Sequence, residues 1–230
     1  MIKLENYEVV GWEHAIRGMR NPMNSWEKSD TRHGCDLFND GDYQFCDTCA
    51  ERYECSCDRF VIGPNDHDLM MRLAKGGPVH AKYRRMIEVY VDITAPLYWW
   101  KEFDTYKVGT VANSCSTMHK IHAKEFTLED FSIEHLNMLN TNLFTMIINN
   151  LNAYRRHFLE SNDKKDWVQM IQLLPSSYNQ KRTVMMSYEV LVGIYRDRKN
   201  HKLDEWHDLC HWIESLPYSE FITGEKNAEN

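Results

Sequence analysis

No run of apolar residues in this chain approaches the roughly 20 needed to cross a bilayer as a helix. The first residues also lack the charged-then-apolar order of a secretory leader. Neither a membrane span nor a signal peptide is expected, and a cytoplasmic protein is. An excess of basic charge is missing as well. With 27 Lys and Arg against 34 Asp and Glu, the net charge is −7 and the pI is near 5.9. A general nucleic-acid binder needs a basic face to displace phosphate counterions, so that class is excluded. One local basic cluster remains, at Lys82, Arg84 and Arg85. The chain has no internal repeat and no regular strand-helix alternation of the βαβ kind.

What is present is enough apolar material for one core: 43% hydrophobic and 12% aromatic residues over 230 positions. A single domain over 1–230 is expected, with a Cys-rich insertion at about 29–60. Of seven cysteines, five lie in HGCDLFNDGDYQFCDTCAERYECSC. Cys46 and Cys49 make a CxxC pair, and Cys35, Cys55, Cys57 and His33 offer further thiolate or imidazole ligands. In a reducing compartment this cluster reads as a structural zinc loop rather than as disulfides. The spacing is irregular, and the alternative is a polar surface insertion with incidental thiols.

Along the rest of the chain, IKLENYEVVGW alternates as a strand, and EHAIRGMRN reads as a short helix ended by Pro22. Asn65 is expected to cap a helix to about Lys75, with Leu69, Met70 and Leu73 on one face and Gly76-Gly77-Pro78 stopping it. Ile87, Val89, Val91 and Ile93 alternate with Glu88, Tyr90 and Asp92, the pattern of a half-buried strand. From Leu128 the period turns helical. Ser132 to Leu159 carries Leu136, Leu139, Leu143, Ile147 and Leu151, and Trp167 to Leu174 is a shorter helix closed before Pro175. Further helices are expected from about Gln180 to Arg198 and from Leu203 to Leu216. The class that follows is α+β, a mixed sheet with a large helical layer.

Function is expected in the stretch 80–120, which reads HAKYRRMIEVYVDI, TAPLYWWKEFDTYKVG and TVANSCSTMHK. A basic turn, a strand and an Ala-Pro turn lead to a polar segment almost without core residues. A rigid element that delivers the chain to such a segment is a common support for a ligand site. The order of these elements, over most of the chain outside the Cys-rich insertion, resembles the flavin-dependent thymidylate synthases. His80, the basic-aromatic turn, the strand and Ala95-Pro96 resemble that family's HxxPFEH segment and the strand before its signature. The signature RHRxxSxNExSxRY falls on Thr105, Tyr106, Lys107 and Thr110, then after one extra residue on Asn113, Ser114, Ser116, Met118 and His119. LLPSSYNQ resembles the LP segment that opens the family's substrate helix, and RDRKNHKLDEW its closing stretch.

That resemblance implies a flavin-dependent methyltransferase with the α+β fold of the family, usually a homotetramer with active sites shared between subunits. It implies bound FAD, NADPH as reductant, methylenetetrahydrofolate as one-carbon donor and deoxyuridine monophosphate as substrate. By this correspondence His80, Thr105, Tyr106 and Lys107 bind the flavin, and Asn113 and Ser116 act at the pyrimidine. Arg182, Arg196, Arg198, His119 and Lys120, with Lys124 nearby, bind substrate phosphate. The family's cations are thinned here: Thr105 and Tyr106 stand for an arginine and a histidine, Ser114 for a glutamate, and Tyr188 lies near an expected helix arginine. An ammonium at Lys107 cannot reproduce a planar bidentate clamp. The alternative is a relative that binds flavin or nucleotide without making thymidylate, or an oligomeric interaction protein with an inert site.

Simpler roles compete for several residues. Arg196 and Arg198 at a helix C-terminus would meet its dipole favourably. His80 could pack at the Gly-Gly-Pro turn. Trp99 and Trp100, with Tyr98 and Phe103, read as core or subunit contacts rather than a flavin stack. His201, His207 and His211 read as a solvated helix face rather than metal ligands. Cys115 has polar neighbours but no identified base, so no nucleophilic role is assigned to it.

Overall fold

The computed structural model describes residues 2–33 and 60–224. Their core is an antiparallel sheet of four strands in the order β1 (Lys3–Val10), β4 (Glu88–Pro96), β6 (Asn179–Ser187), β5 (Thr110–Ser114). The α+β class is as expected, but this sheet is antiparallel at every pairing rather than mixed. Helix α1 (Trp12–Arg20) follows β1 through Gly11, whose φ of 93° and closeness to Met86 leave no room for a side chain: a Cβ would lie 2.0 Å from the Met86 carbonyl oxygen.

Strand β4 forms where the sequence alternates. Val89, Val91, Ile93 and Ala95 are all buried, with Ile87 before them, while Tyr90, Asp92 and Thr94 face the other way. Each fully buried Val or Ile contributes about 1.5–3 kcal/mol. Val184 and Met186 of β6 extend the same buried face. It packs with α1, α2 (Pro64–Lys75), α3 (Leu97–Phe103), α6 (Tyr188–Arg198), α7 (Asp204–Glu214) and α8 (Glu220–Thr223), whose Trp12, Met70, Trp99, Leu191, Trp206 and Phe221 fill the main core. A second cluster joins α4 (Met138–Ser161) and α5 (Lys164–Leu173) through Ile121, Phe126, Phe131, Ile148, Leu151 and Met170. Asn152 of α4 ties the incoming loop down, its amide bonding both the N–H and the C=O of Phe126 at 2.8 and 2.9 Å.

Two expectations are corrected. The segment 180–198 is not one helix: Asn179–Ser187 is a strand, and only Tyr188–Arg198 is helical. NQKRTVMMS contains many good helix formers, yet it lies between β4 and β5, and ladder bonds on both sides outweigh a propensity of a few tenths of a kcal/mol per residue. Ser187 marks the switch by accepting the Val190 N–H as N-cap. The N-terminus of α2 is also differently made. Gly63 takes the cap position, Pro64 the first helical one, and the carboxylate of Asp30 accepts the N–H groups of Asn65 and Asp66 at 2.9 and 3.1 Å. A two-stranded ribbon of β2 (Arg32–His33) and β3 (Phe60–Val61) closes beside it. Cys35, Cys46, Cys49, Cys55 and Cys57 lie outside the described residues.

Candidate functional site

Strand β4 ends at Pro96, and the first amides of α3 find partners in the approach to β6: Leu97 and Tyr98 donate to the carbonyls of Tyr178 and Ser176, both at 3.0 Å. Helix α3 then buries Trp99, Trp100 and Phe103 almost completely. These aromatics are core residues and cannot stack on a ligand. The Trp100 indole N–H donates to the Gln180 carbonyl at 2.9 Å, which fixes the helix against β6. Beside it the Tyr98 hydroxyl donates to the buried Glu205 carboxylate, and burial pushes that phenol well above its usual range.

The C-terminal end of α3 carries two carboxylates, and each meets an arginine expected to bind substrate. Glu102 accepts from Arg198 Nη1 at 2.6 Å and from the Trp206 indole at 3.1 Å, with His201 Nε2 at 3.3 Å. The Arg198 guanidinium also lies over the Trp206 ring, 4.4 Å from its centroid, and donates from Nε to the Tyr106 hydroxyl at 2.9 Å. Arg198 is thus built into an aromatic cage. Arg196, by contrast, is exposed and pairs with its neighbour Asp197.

Arg182 sits in strand β6, not at the opening of a helix. Its guanidinium stacks on Trp100, 4.1 Å from the ring centroid. Nε donates to Gln180 Oε1 at 3.0 Å and Nη1 to Asp104 Oδ1 at 2.7 Å. Gln180 is held in turn by donating to the Cys115 carbonyl at 2.9 Å.

The polar segment after α3 begins as edge strand β5 rather than as a loop. It pairs with β6 along Thr110–Ser114, with Asn113 opposite Thr183 and Ser114 opposite Arg182. Asn113 therefore stands on the open face of the sheet in one row with Thr183, Asp92 and Glu5. Hydrogen bonds from Thr183, Lys181 and Asn6 hold the Asp92 carboxyl down at about 2. Beyond the strand, Ser116 Oγ accepts the N–H groups of Met118 and His119 at 3.1 and 3.0 Å. Its lone pairs are engaged, and its O–H remains available as a donor. Lys107, His119, Lys120 and His80 are all exposed, whereas Thr105 Oγ1 donates to the Glu102 carbonyl. Lys124 pairs with Asp130. The structure thus brings Tyr106 and Arg198 together, sets Arg182 and Ser114 side by side, and leaves His80 on the turn after α2.

The sequence reading missed Glu102 and Asp104. The only signal for them was that acidic residues interrupt the aromatic run KEFDTY. It also missed buried polar atoms near the sheet end: among the described residues Arg84 Nε, Glu88 Oε2 and Glu189 Oε2 have no hydrogen-bond partner, and burial raises the Glu88 carboxyl. A cleft of about 200 Å³ lies elsewhere, between α1 and the ribbon, lined in part by Ile16, Arg17, Trp26 and Phe60. Among the described residues no three His, Cys, Asp or Glu side chains are grouped to hold a metal. His207 instead lies 3.9 Å from the carboxylate of Asp204.

No protein-family model and no curated protein matches the chain. Solved structures do. The flavin dependent thymidylate synthase ThyX from Helicobacter pylori, complexed with FAD and dUMP, is similar with a TM-score of 0.62 and 16% identity, over 97% of this chain and 98% of that one. A second structure of thymidylate synthase X from Helicobacter pylori, with FAD and dUMP, gives 0.60 and 16%, covering 97% of both chains. The chain has the fold of these flavin-dependent thymidylate synthases along nearly its whole length.

Proposed function

We propose that this chain binds FAD and a uridylate-type nucleotide, and that it methylates deoxyuridine monophosphate with methylenetetrahydrofolate as carbon donor and NADPH as reductant. The observation that carries the reading is the whole-length likeness of fold to two proteins complexed with FAD and dUMP. The residues present suit a phosphorylated cofactor in kind. Lys107 is an exposed cation that can meet a flavin phosphate, with Thr105 and Tyr106 next to it in the chain as hydroxyl groups, and the exposed His80 offers a ring N–H from the turn after α2. Reduced flavin supplies the reducing equivalents of the reaction when bound. Asn113 orients the pyrimidine by its amide, and Ser116 donates its O–H to a pyrimidine carbonyl, a role that suits a hydroxyl already accepting two N–H groups. Lys120, Arg182 and Arg196 supply positive charge for the substrate phosphate, and His119 a ring N–H.

The same reading makes the protein a cytoplasmic homotetramer whose sites are completed by neighbouring subunits, and the exposed Leu139, Leu143 and Met146 of α4 supply an apolar face for that contact. Apart from that reading, the thiol cluster of the Cys-rich insertion is proposed to hold a structural zinc, which elemental analysis of the purified protein tests. A second reading is binding without thymidylate synthesis. It is favoured by Arg198, whose guanidinium is already committed to Glu102, Tyr106 and Trp206. Mass spectrometry of small molecules released from the native protein tests flavin binding. Tritium release from labelled deoxyuridylate, with NADPH and folate donor, separates the two readings. A colourless protein that takes up no added FAD overturns both.

A further inference from the structure

The two arginines that meet α3 differ in how firmly they are held. Glu102 takes two donors, from Arg198 and Trp206, with His201 Nε2 3.3 Å away, and this pair is part of the core's edge. Among the described residues Asp104 accepts one side-chain bond, from Arg182, and its own side chain is 51% exposed while that of Arg182 is 15% exposed. An exposed carboxylate holding a guanidinium by one bond exchanges readily with solvent or with another anion.

Arg182 itself does not depend on Asp104 for its position. Its plane is set by the Trp100 ring beneath it and by the Gln180 amide at Nε, and Gln180 is anchored to the Cys115 carbonyl. Of the five N–H bonds of a guanidinium, Nε–H and one on Nη1 are engaged here, which leaves three on a rigid fork. Ser114, directly opposite Arg182 in the register, sets a hydroxyl-bearing residue beside it.

We infer that Arg182 is a preorganised site for a phosphate group and that Asp104 occupies it as an internal, displaceable competitor. An arriving phosphate takes the Nη1 bond and the open Nη2 donors, and Asp104 swings out to water. The carboxylate sets a threshold: weak anions do not displace it, and a phosphate tethered to a molecule bound elsewhere in the site does. The expectation that this phosphate belongs to a nucleotide rests on the proposed function; the anion site and its competitor do not.

The test is calorimetric titration of the full chain with inorganic phosphate. Asp104→Asn and Asp104→Ala each bind phosphate about fivefold or more tightly than the native chain, because the competing ion pair and its like-charge repulsion are gone. Adding Arg182→Gln to Asp104→Asn abolishes the gain. Phosphate affinity within twofold of native in both Asp104 variants overturns the inference, as does a gain that survives Arg182→Gln. FAD uptake measured on the same preparations keeps the two readings apart. A colourless protein with Asp104-dependent phosphate affinity sinks the flavin reading and keeps this one, and a yellow protein with Asp104-independent affinity does the reverse.

Discussion

Asp30 and Asp66 each accept the other's backbone N–H, both at 3.1 Å. Asp30 thereby caps α2 from outside the helix, and Asp66 holds the segment 29–31 that leads to the ribbon. Asp66 is fully buried and also accepts from Ser29, from Thr31 and from Arg20 Nε at 2.6 Å. Arg20 is tied further to the carbonyls of Ser25 and Lys28. The base from which the Cys-rich segment departs is therefore fastened to the main core by charge and main-chain bonds at once.

Replacing Asp66 by Asn should cost about 3–5 kcal/mol at neutral pH, because Arg20 is left as a buried charge without its partner. Burial raises the Asp66 carboxyl, but hydrogen bonds from Ser29, Thr31 and Arg20 outweigh it and hold the group below its ordinary 3.8. A depressed carboxyl stabilises the fold above its unfolded value and loses that contribution as pH falls through the folded one. Native stability should thus drop below about pH 4, and the part due to Asp66 should be absent in Asp66→Asn. Urea unfolding at pH 7 and pH 3 measures both.

Arg198→Lys should destabilise the fold by about 1–3 kcal/mol, since an ammonium reproduces neither the stacking on Trp206 nor the simultaneous bonds to Glu102 and Tyr106. Chemical denaturation followed by tryptophan fluorescence reports the loss directly. If Arg198 serves only the cage, the folded variant keeps native nucleotide affinity; a larger loss in affinity than in stability would return it to the ligand set.

Lys107→Ala should leave stability within about 0.5 kcal/mol of native, because the side chain is exposed. Flavin or nucleotide affinity should weaken by about 1.5–3 kcal/mol if the ammonium makes charge-assisted bonds to a phosphate. Unchanged affinity removes Lys107 from the site.

Leu143→Glu places a charge in the middle of the exposed apolar face of α4. Light scattering should show a smaller assembly than the native chain, while the subunit's own helical signal is retained. A native mass in the variant excludes α4 as the contact.

Strand β4 was legible because its Ile and Val residues alternate over one buried face, and the long helix α4 because its apolar residues recur at three and four. Strand β6 was not. Its residues favour a helix by local propensity, and only the flanking strands supply the bonds that hold them extended. The cap at α2 illustrates the same limit. Asn65 is a good cap by type, but Asp30, 35 positions away in the chain, takes that role. In the candidate site, the polar, exposed character of the segment around Ser116 was legible in its near lack of core residues. The states of Arg182 and Arg198 were not.

The sequence by itself determined that an α+β fold would form around one alternating strand, that the tryptophans of LYWWKEF would be core or subunit contacts rather than a flavin stack, and that the resemblance to flavin-dependent thymidylate synthases would hold at the level of fold. Those features are written in residues a few positions apart, where periodicity and side-chain volume act directly. Only the tertiary structure decided which carboxylates the arginines meet. Asp104 meets Arg182 across 78 positions and Glu102 meets Arg198 across 96. An ion pair between groups so distant is set by how α3 docks on β6 and α6, and no local pattern encodes that docking.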